Sequence, residues 1–410
     1  MRDQSQRLRR QVERVVRRGN CSGCGACAAL SSSLRMELDR NGYSRPSWTE
    51  PKEPEPAGAA ARFRAVCPGV AVTAPRPPGT TVHPTMGPYV SVWAAWATDP
   101  DVRFRGSSAG VLTALTLWLL ETGRANAVTG SSMSEQAPVR TVALQLRSKE
   151  EVLGAAGSRY APVSNAQIFD AGDRSTAFVG KPCEVSAARQ MSAVLNTGPS
   201  DSEPILLSFF CAGVPSQHAT EELTAHLGVP PDEVASLRYR GDGWPGSFSV
   251  RSRSGSVSQL SYEESWGEHL GRRLQSRCKI CPDGTGGHAD IAVGDFWEAG
   301  TSGYPVFDDA EGMSVAIARN RRGHRMLMSA RDSGVVGLSA ATLDAVAGVQ
   351  PLQVSRRMTL LGRVIGRWFA CRPGPRYRGF ALWRLAASWP RESLVAAIGT
   401  YRRTRGEGRS

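Results

Sequence analysis

The chain has 410 residues, 41% of them apolar, and a net charge of +13, which suits two or three domains around a large core. No run of eighteen uncharged apolar residues occurs and no apolar segment follows the charged N-terminus, so neither a membrane-spanning helix nor a secretory signal is expected and a cytoplasmic location is. Nine cysteines in such a chain point to ligands rather than disulfides.

Residues 1–20 are basic and carry a weak amphipathic pattern at Leu8, Val12, Val15 and Val16, which predicts a helix. It leads into Cys21-Ser-Gly-Cys24-Gly-Ala-Cys27, with Cys67-Pro68-Gly69 as a distant complement. CxxCxxC with a remote Cys-Pro is a ligation pattern of a [4Fe-4S] cluster. Three thiolates within seven residues wrap one corner of the cube, and Gly25 lets the backbone pass close to the sulfides. The compact bacterial run would carry its fourth cysteine at position 31, where Ser31 stands. Zinc sites use paired spacings instead. Residues 1–80 are thus expected to form a ferredoxin-like iron–sulfur domain. Residues 46–56 read as a loop, and the prolines at 75, 77, 78, 84 and 88 as a linker.

A different architecture follows over residues 86–350. Strands are predicted at 90–97, 127–130, 142–146, 176–180, 205–210, 291–293 and 313–318. Helices are predicted at 111–121, with Ser107 or Ser108 as N-cap, and from Ser148, Pro182, Pro215 and Gly323. The alternation implies a mixed, mainly parallel α/β domain. Residues 232–262 suggest a β-hairpin insertion, and 264–275 a helix. Residues 351–410 form a basic helical extension rich in Arg and Trp. It is either a helical cap with a basic tail or a surface that touches an anionic membrane peripherally.

Chemistry concentrates at predicted strand ends. Cys183 and Cys211 each follow a buried strand, and Cys278-Lys279-Ile-Cys281-Pro-Asp283 precedes another. Strand ends of one parallel sheet converge on one edge, so these four cysteines are candidate ligands of a second cluster. Buried free cysteine is the plainer alternative. The strand over 291–293 delivers Asp295 where open α/β sheets place ligands. Gly106-Ser107-Ser108-Ala109-Gly110, ahead of a helix, can present N–H groups and hydroxyls to a phosphate. Gly157-Ser158-Arg159-Tyr160 adds a glycine turn, a cation and an aromatic that can stack on a ring. No GxGxxG fingerprint is present.

In this order the motifs resemble the beta-subunit family of coenzyme F420 hydrogenases and dehydrogenases. The similarity runs from Cys21-Ser-Gly-Cys-Gly-Ala-Cys27 and Val66-Cys67-Pro-Gly, through Gly106-Ser-Ser-Ala-Gly, Gly157-Ser-Arg-Tyr160, Phe178-Val-Gly180-Lys181-Pro-Cys183 and Phe210-Cys211-Ala-Gly-Val-Pro215, to Arg277-Cys-Lys-Ile-Cys281 and Gly294-Asp295-Phe-Trp297. Ala109 stands where the family often has glycine. The resemblance implies bound FAD, [4Fe-4S] clusters and hydride exchange with coenzyme F420. It also implies a ferredoxin-like electron carrier or an oxidoreductase subunit as partner. On this reading Ser107, Ser108, Gly110, Gly157, Ser158, Arg159, Tyr160, Gly180, Lys181 and Asp290 bind cofactor. Asp295, Lys279 and Asp283 orient the ring or polarise substrate. Relatives reduce other conjugated substrates, including a chlorophyll derivative, or accompany polysaccharide-forming enzymes, so a different substrate stays open. So does a non-catalytic electron-transfer subunit. No nucleic-acid partner is expected, because the basic and aromatic residues are not interleaved in a binding motif.

Overall fold

Eight strands build the central sheet. In spatial order they are Val336–Ala340, Ser91–Ala97, Ser314–Ala318, Ile291–Asp295, Ile205–Phe209, Thr176–Gly180, Ala127–Met133 and Thr141–Leu146. The four neighbours from Ile291–Asp295 to Ala127–Met133 are parallel, and the remaining pairs are antiparallel. Five of the eight strands therefore share one direction. The computed structural model describes residues 2–50, 54–195, 203–297 and 311–406. Lys52 and part of the 46–56 loop lie outside them.

The inner strands read as continuous apolar runs because both faces are covered; Ser314–Ala318 is buried at every position. The helix Val111–Glu121 packs into the main core through Leu115, Leu119 and Trp118, and so is apolar nearly all round. The segment expected as a hairpin is a three-stranded antiparallel sheet, Val234–Arg238, Ser247–Ser252 and Val257–Ser261. The helix expected over 264–275 is instead a wide, π-type turn, Glu263–His269, followed by the tight turn Leu270–Arg273.

At the N-terminus the helix Arg2–Arg17 sends Leu8, Val12 and Val15 into a small core with Phe63 and Ala59 of the helix Ala59–Val66. A hairpin, Leu34–Leu38 with Ser44–Trp48, lies between. The proline-rich stretch read as a linker is pinned to the sheet. Thr81–His83 pairs with Gly87–Tyr89, and the carbonyl of fully buried Met86 accepts from Thr285 Oγ1 at 3.1 Å and Arg319 Nη1 at 2.7 Å.

The C-terminal extension is helical throughout most of its length: Pro351–Met358, Leu360–Phe369, Leu382–Ser388 and Pro390–Gly406. Between them Arg376–Arg378 pairs in parallel with Ala71–Thr73 of the N-terminal unit. Its inner arginines reach loop carbonyls: Arg356 to Cys211 and Ala212 at 2.8 and 2.9 Å, Arg363 to Lys279 at 3.1 Å, and Arg357 to Pro282. Among the described residues no helix is long and apolar enough to cross a membrane.

One buried carboxylate locks the sheet. Asp290 accepts from Asn320 Nδ2 at 2.7 Å, Leu206 N at 2.8 Å and Arg189 Nη2 at 3.1 Å, and it also pairs with Arg322. Burial works against its charge, yet Arg189 and Arg322 outweigh burial and hold its pKa down at about 2. Asp290→Asn should therefore lower the unfolding free energy at neutral pH by about 3–5 kcal/mol. A depressed pKa gives stability that is full above the ordinary carboxylate value and is lost as pH falls through the folded value. The gap between wild type and variant in denaturant titrations should accordingly narrow between about pH 4 and pH 2.

Candidate active site

The carboxyl ends of the parallel strands open into a cleft of about 720 Å³, within the range of cofactor sites. Ser131, Val179, Phe209 and Asp295 bring four adjacent strands to its wall. Strand ends leave backbone groups free and the following segments diverge, so ligands collect there.

The 106–110 loop closes one end. The helix behind it is capped by Gly110 at φ +68°, with no side-chain cap, rather than by Ser107 or Ser108. A Cβ on Gly110 would stand 2.4 Å from the Val102 carbonyl oxygen, so only glycine allows this turn. The serines stitch neighbouring loops instead. Ser107 Oγ accepts from Ser158 Oγ at 2.8 Å, and Ser108 Oγ donates to the Met313 carbonyl at 2.8 Å.

Aromatic rings form a second wall. Tyr160 lies 4.9 Å from Trp266, centroid to centroid, and Trp266 is carried by the π-type turn, a geometry frequent at functional sites. Arg240, only 2% exposed, sits over the rings of Trp244 and Tyr262 at 4.7 and 4.6 Å. Its Nη1 donates to Asp295 Oδ2 at 2.6 Å and its Nε to the Pro245 carbonyl at 2.8 Å. Burial opposes its charge, but Asp295 and the tyrosine oxygens hold its pKa above the usual guanidinium value. Its Nη2 is buried with no partner.

Lys181 lies on the cleft lining, buried, with Nζ donating to Glu184 Oε1 at 2.7 Å and the Val163 carbonyl at 2.9 Å. Burial lowers its pKa, and Glu184 and Cys183 more than reverse that. Gly157, Ser158 and Tyr160 reach the cleft as expected from their motif. Arg159 borders it, but its guanidinium is committed to Leu237, Thr141 and Arg140. Four other residues expected here stand elsewhere. Asp290 locks the sheet. Asp283 accepts from Gly287 N at 2.8 Å and Thr285 N at 3.0 Å and shapes its own loop; despite burial, His288 and Arg319 hold its carboxyl well below the usual range. Lys279 is off the lining, its carbonyl taken by Arg363. Gly180 is behind it, its carbonyl accepting from Ser208 Oγ at 3.0 Å.

The cysteines fall into two groups. Cys21, Cys24, Cys27 and Cys67 line one small cavity walled by Val12, Phe63 and Val66. Burial pushes the Cys24 thiol up to about 11. Burial, and then the charges of its three companions, raise Cys27 well above its ordinary value. In the second group, burial and then Cys278 push Cys211 up to about 12. Cys183 is raised by burial and Glu184, with Cys24 and Cys211 adding to it. It therefore stands within electrostatic reach of both groups. Buried Arg277 faces Cys281, Cys183 and Cys278. Among the described residues no three His, Cys, Asp or Glu are gathered for a single metal ion. A cube that binds thiolates at separate corners needs them spread round a cavity, which suits the first group.

Fold and site define an α/β protein with a cleft at the carboxyl edge of its sheet and a separate small cavity lined by four cysteines. Residues 92–170 match the N-terminal model, and residues 173–343 the C-terminal model, of the coenzyme F420 hydrogenase/dehydrogenase beta subunit. The chain belongs to that family, as its motifs implied. It is 24% identical over 250 residues to the F420-dependent formate dehydrogenase 1 subunit beta of Methanococcus maripaludis, a stretch covering 60% of each protein. It shares its fold with a chain of the F420-reducing [NiFe] hydrogenase complex from Methanosarcina barkeri, at a TM-score of 0.55 and 20% identity, covering 72% of this chain and 98% of that one.

Gly110→Val would place a branched side chain at positive φ against the Val102 carbonyl. Thermal denaturation should show a loss of about 1–3 kcal/mol.

Proposed function

We propose that the chain is a flavin- and iron–sulfur-dependent oxidoreductase. The cleft would bind FAD. Cys21, Cys24, Cys27 and Cys67 would hold one [4Fe-4S] cluster, and Cys183, Cys211, Cys278 and Cys281 a second. The substrate would be coenzyme F420 or a similar hydride carrier, and a ferredoxin-like carrier or oxidoreductase subunit would take single electrons. The observation that carries this reading is continuity. Cys211 lines the cleft, and Cys183 sits on the helix whose Glu184 accepts from Asn165 N at 3.0 Å, next to Ala166, whose N–H donates to the Cys24 carbonyl of the first group at 3.1 Å. When bound, the flavin would supply hydride exchange and the clusters a one-electron relay.

The protein's own contributions follow from the cleft walls. The 106–110 loop leaves the first turn of its helix without a side-chain cap, which favours a phosphate there. Tyr160 and Trp266 offer faces for a flat ring. Lys181 brings an ammonium held in place by Glu184, which balances its charge on the same lining. Arg240, held by Asp295, offers its free Nη2 to an acceptor on the ligand. The apolar cavity around the first cysteines keeps water from the cluster, one of the settings of its potential.

Anaerobic purification with flavin, iron and sulfide analysis tests the reading. One flavin and about eight irons per chain are expected, as two four-iron clusters require. Cys67→Ser should lose half the iron and keep the flavin; Cys211→Ser should lose the other half. A chain without flavin or iron after reconstitution would end the proposal. In oxidation of reduced coenzyme F420 with a dye acceptor, Arg240→Gln should raise KM or lower kcat/KM by about tenfold or more, the worth of a charged hydrogen bond.

A further inference from the structure

We propose that the C-terminal helices form a platform that docks this protein on an anionic lipid surface. Residues 351–410 contain thirteen arginines, no lysine and two acids, Glu392 and Glu407, a net charge of +11 within the chain's +13. The first 350 residues are therefore close to neutral, at +2. The family models end at residue 343, so this charge lies in an extension outside them.

The arginines divide into two populations. Arg356, Arg357, Arg363 and Arg367 reach inward to backbone carbonyls. Arg376, Arg384, Arg391, Arg402 and Arg403 are exposed. Large apolar side chains are exposed beside them: Trp368 at 63%, Phe369 at 64%, and Trp383 and Val395 at 70%. Of the fifteen exposed large hydrophobics among the described residues, eight come from this extension. Leu352 belongs to the cleft lining; the other seven still exceed the ordinary scatter of single apolar residues.

Helix geometry gathers them. On Pro390–Gly406, the exposed residues Arg391, Leu394, Val395, Ile398 and Arg402 recur at helical spacing, apolar in the middle and cationic at both ends. On Leu360–Phe369, Ile365, Trp368 and Phe369 are exposed. The two helices meet at small residues. A Cβ on Gly362 would lie 2.0 Å from the Ser393 carbonyl oxygen, and one on Gly366 would lie 2.2 Å from that of Ala397. Contacts in matching order make the pair run parallel. Counting about 100° per residue from these packed positions puts both exposed stripes on the same side of the pair.

Charge complementarity and composition select the occupant. Guanidinium groups flanking exposed tryptophan, phenylalanine and aliphatic side chains match a headgroup region over acyl chains, the setting of an interfacial helix. A nucleic acid would lay its phosphates against the apolar stripe and leave it unsatisfied. With no helix among the described residues able to span a bilayer, the contact is a surface one.

Sedimentation of the full chain with vesicles tests this and depends on neither flavin nor iron. Vesicles of phosphatidylcholine containing about 30% phosphatidylglycerol should carry the protein down, and phosphatidylcholine alone should not. Both Trp368→Ser/Val395→Ser and Arg391→Glu/Arg402→Glu should weaken that binding by about tenfold or more. Their thermal midpoints should stay unchanged, since all four side chains are exposed. Failure to bind anionic vesicles would overturn the proposal, including the case of a chain retained only on a polyanionic resin or by an acidic protein. Binding that the apolar double variant leaves intact would overturn it too, by reducing the platform to a plain cationic patch.

Discussion

A buried lysine–glutamate pair holds the functional half of the molecule together. Lys181 and Glu184 meet at 2.7 Å where the strand Thr176–Gly180 turns into the helix Pro182–Leu195. Glu184 has no exposed surface. Its oxygens also accept from Asn165 N at 3.0 Å and Lys181 N at 2.9 Å, while the lysine donates to Val163. Buried charges persist when they are paired and hydrogen-bonded, as here. The pair fixes the 163–165 segment to the start of the helix. That segment continues into a turn whose Ala166 N donates to the Cys24 carbonyl at 3.1 Å. Cleft floor, Cys183 and the first cysteine group thus share one set of constraints.

The same logic explains how an arginine-rich extension can fold. Loops that present cysteines leave carbonyls without strand or helix partners, and a buried carbonyl needs a donor. Arg356, Arg357 and Arg363 supply donors to carbonyls at residues 211, 212, 282 and 279. A guanidinium is suited to this because it offers several donors in a fixed fork and stays charged. The N-terminal unit is bound by the same means and by a short strand pairing, Ala71–Thr73 with Arg376–Arg378. The outer face of these helices keeps its charge and its apolar stripe because nothing in the described chain covers them.

Much of this was legible in the residues. Cysteine spacing placed Cys21, Cys24, Cys27 and Cys67 together, and a common cavity joins them. Apolar runs bounded by glycine and proline located seven of the eight sheet strands. The eighth, Val336–Ala340, escaped because it is a half-exposed edge with Gly337 inside it. Asp295 was placed at a strand end by position alone. Arg240 was missed, although it sits in an Arg-Tyr-Arg-Gly-Asp-Gly-Trp-Pro-Gly run whose aromatics and cations were a signal.

Sequence by itself determined most strands of the central sheet, the four thiols that share the N-terminal cavity, and the family, because spacing and periodicity are local properties of the chain. Tertiary structure decided which polar groups face the cleft. Asp290 and Asp283 look like Asp295 in sequence, three acids around one strand, yet arginines from remote segments claim the first and loop amides the second. Only Asp295 turns to the cleft, where Arg240 from the insertion meets it. A side chain's role depends on what long-range folding sets beside it, and no local pattern carries that information.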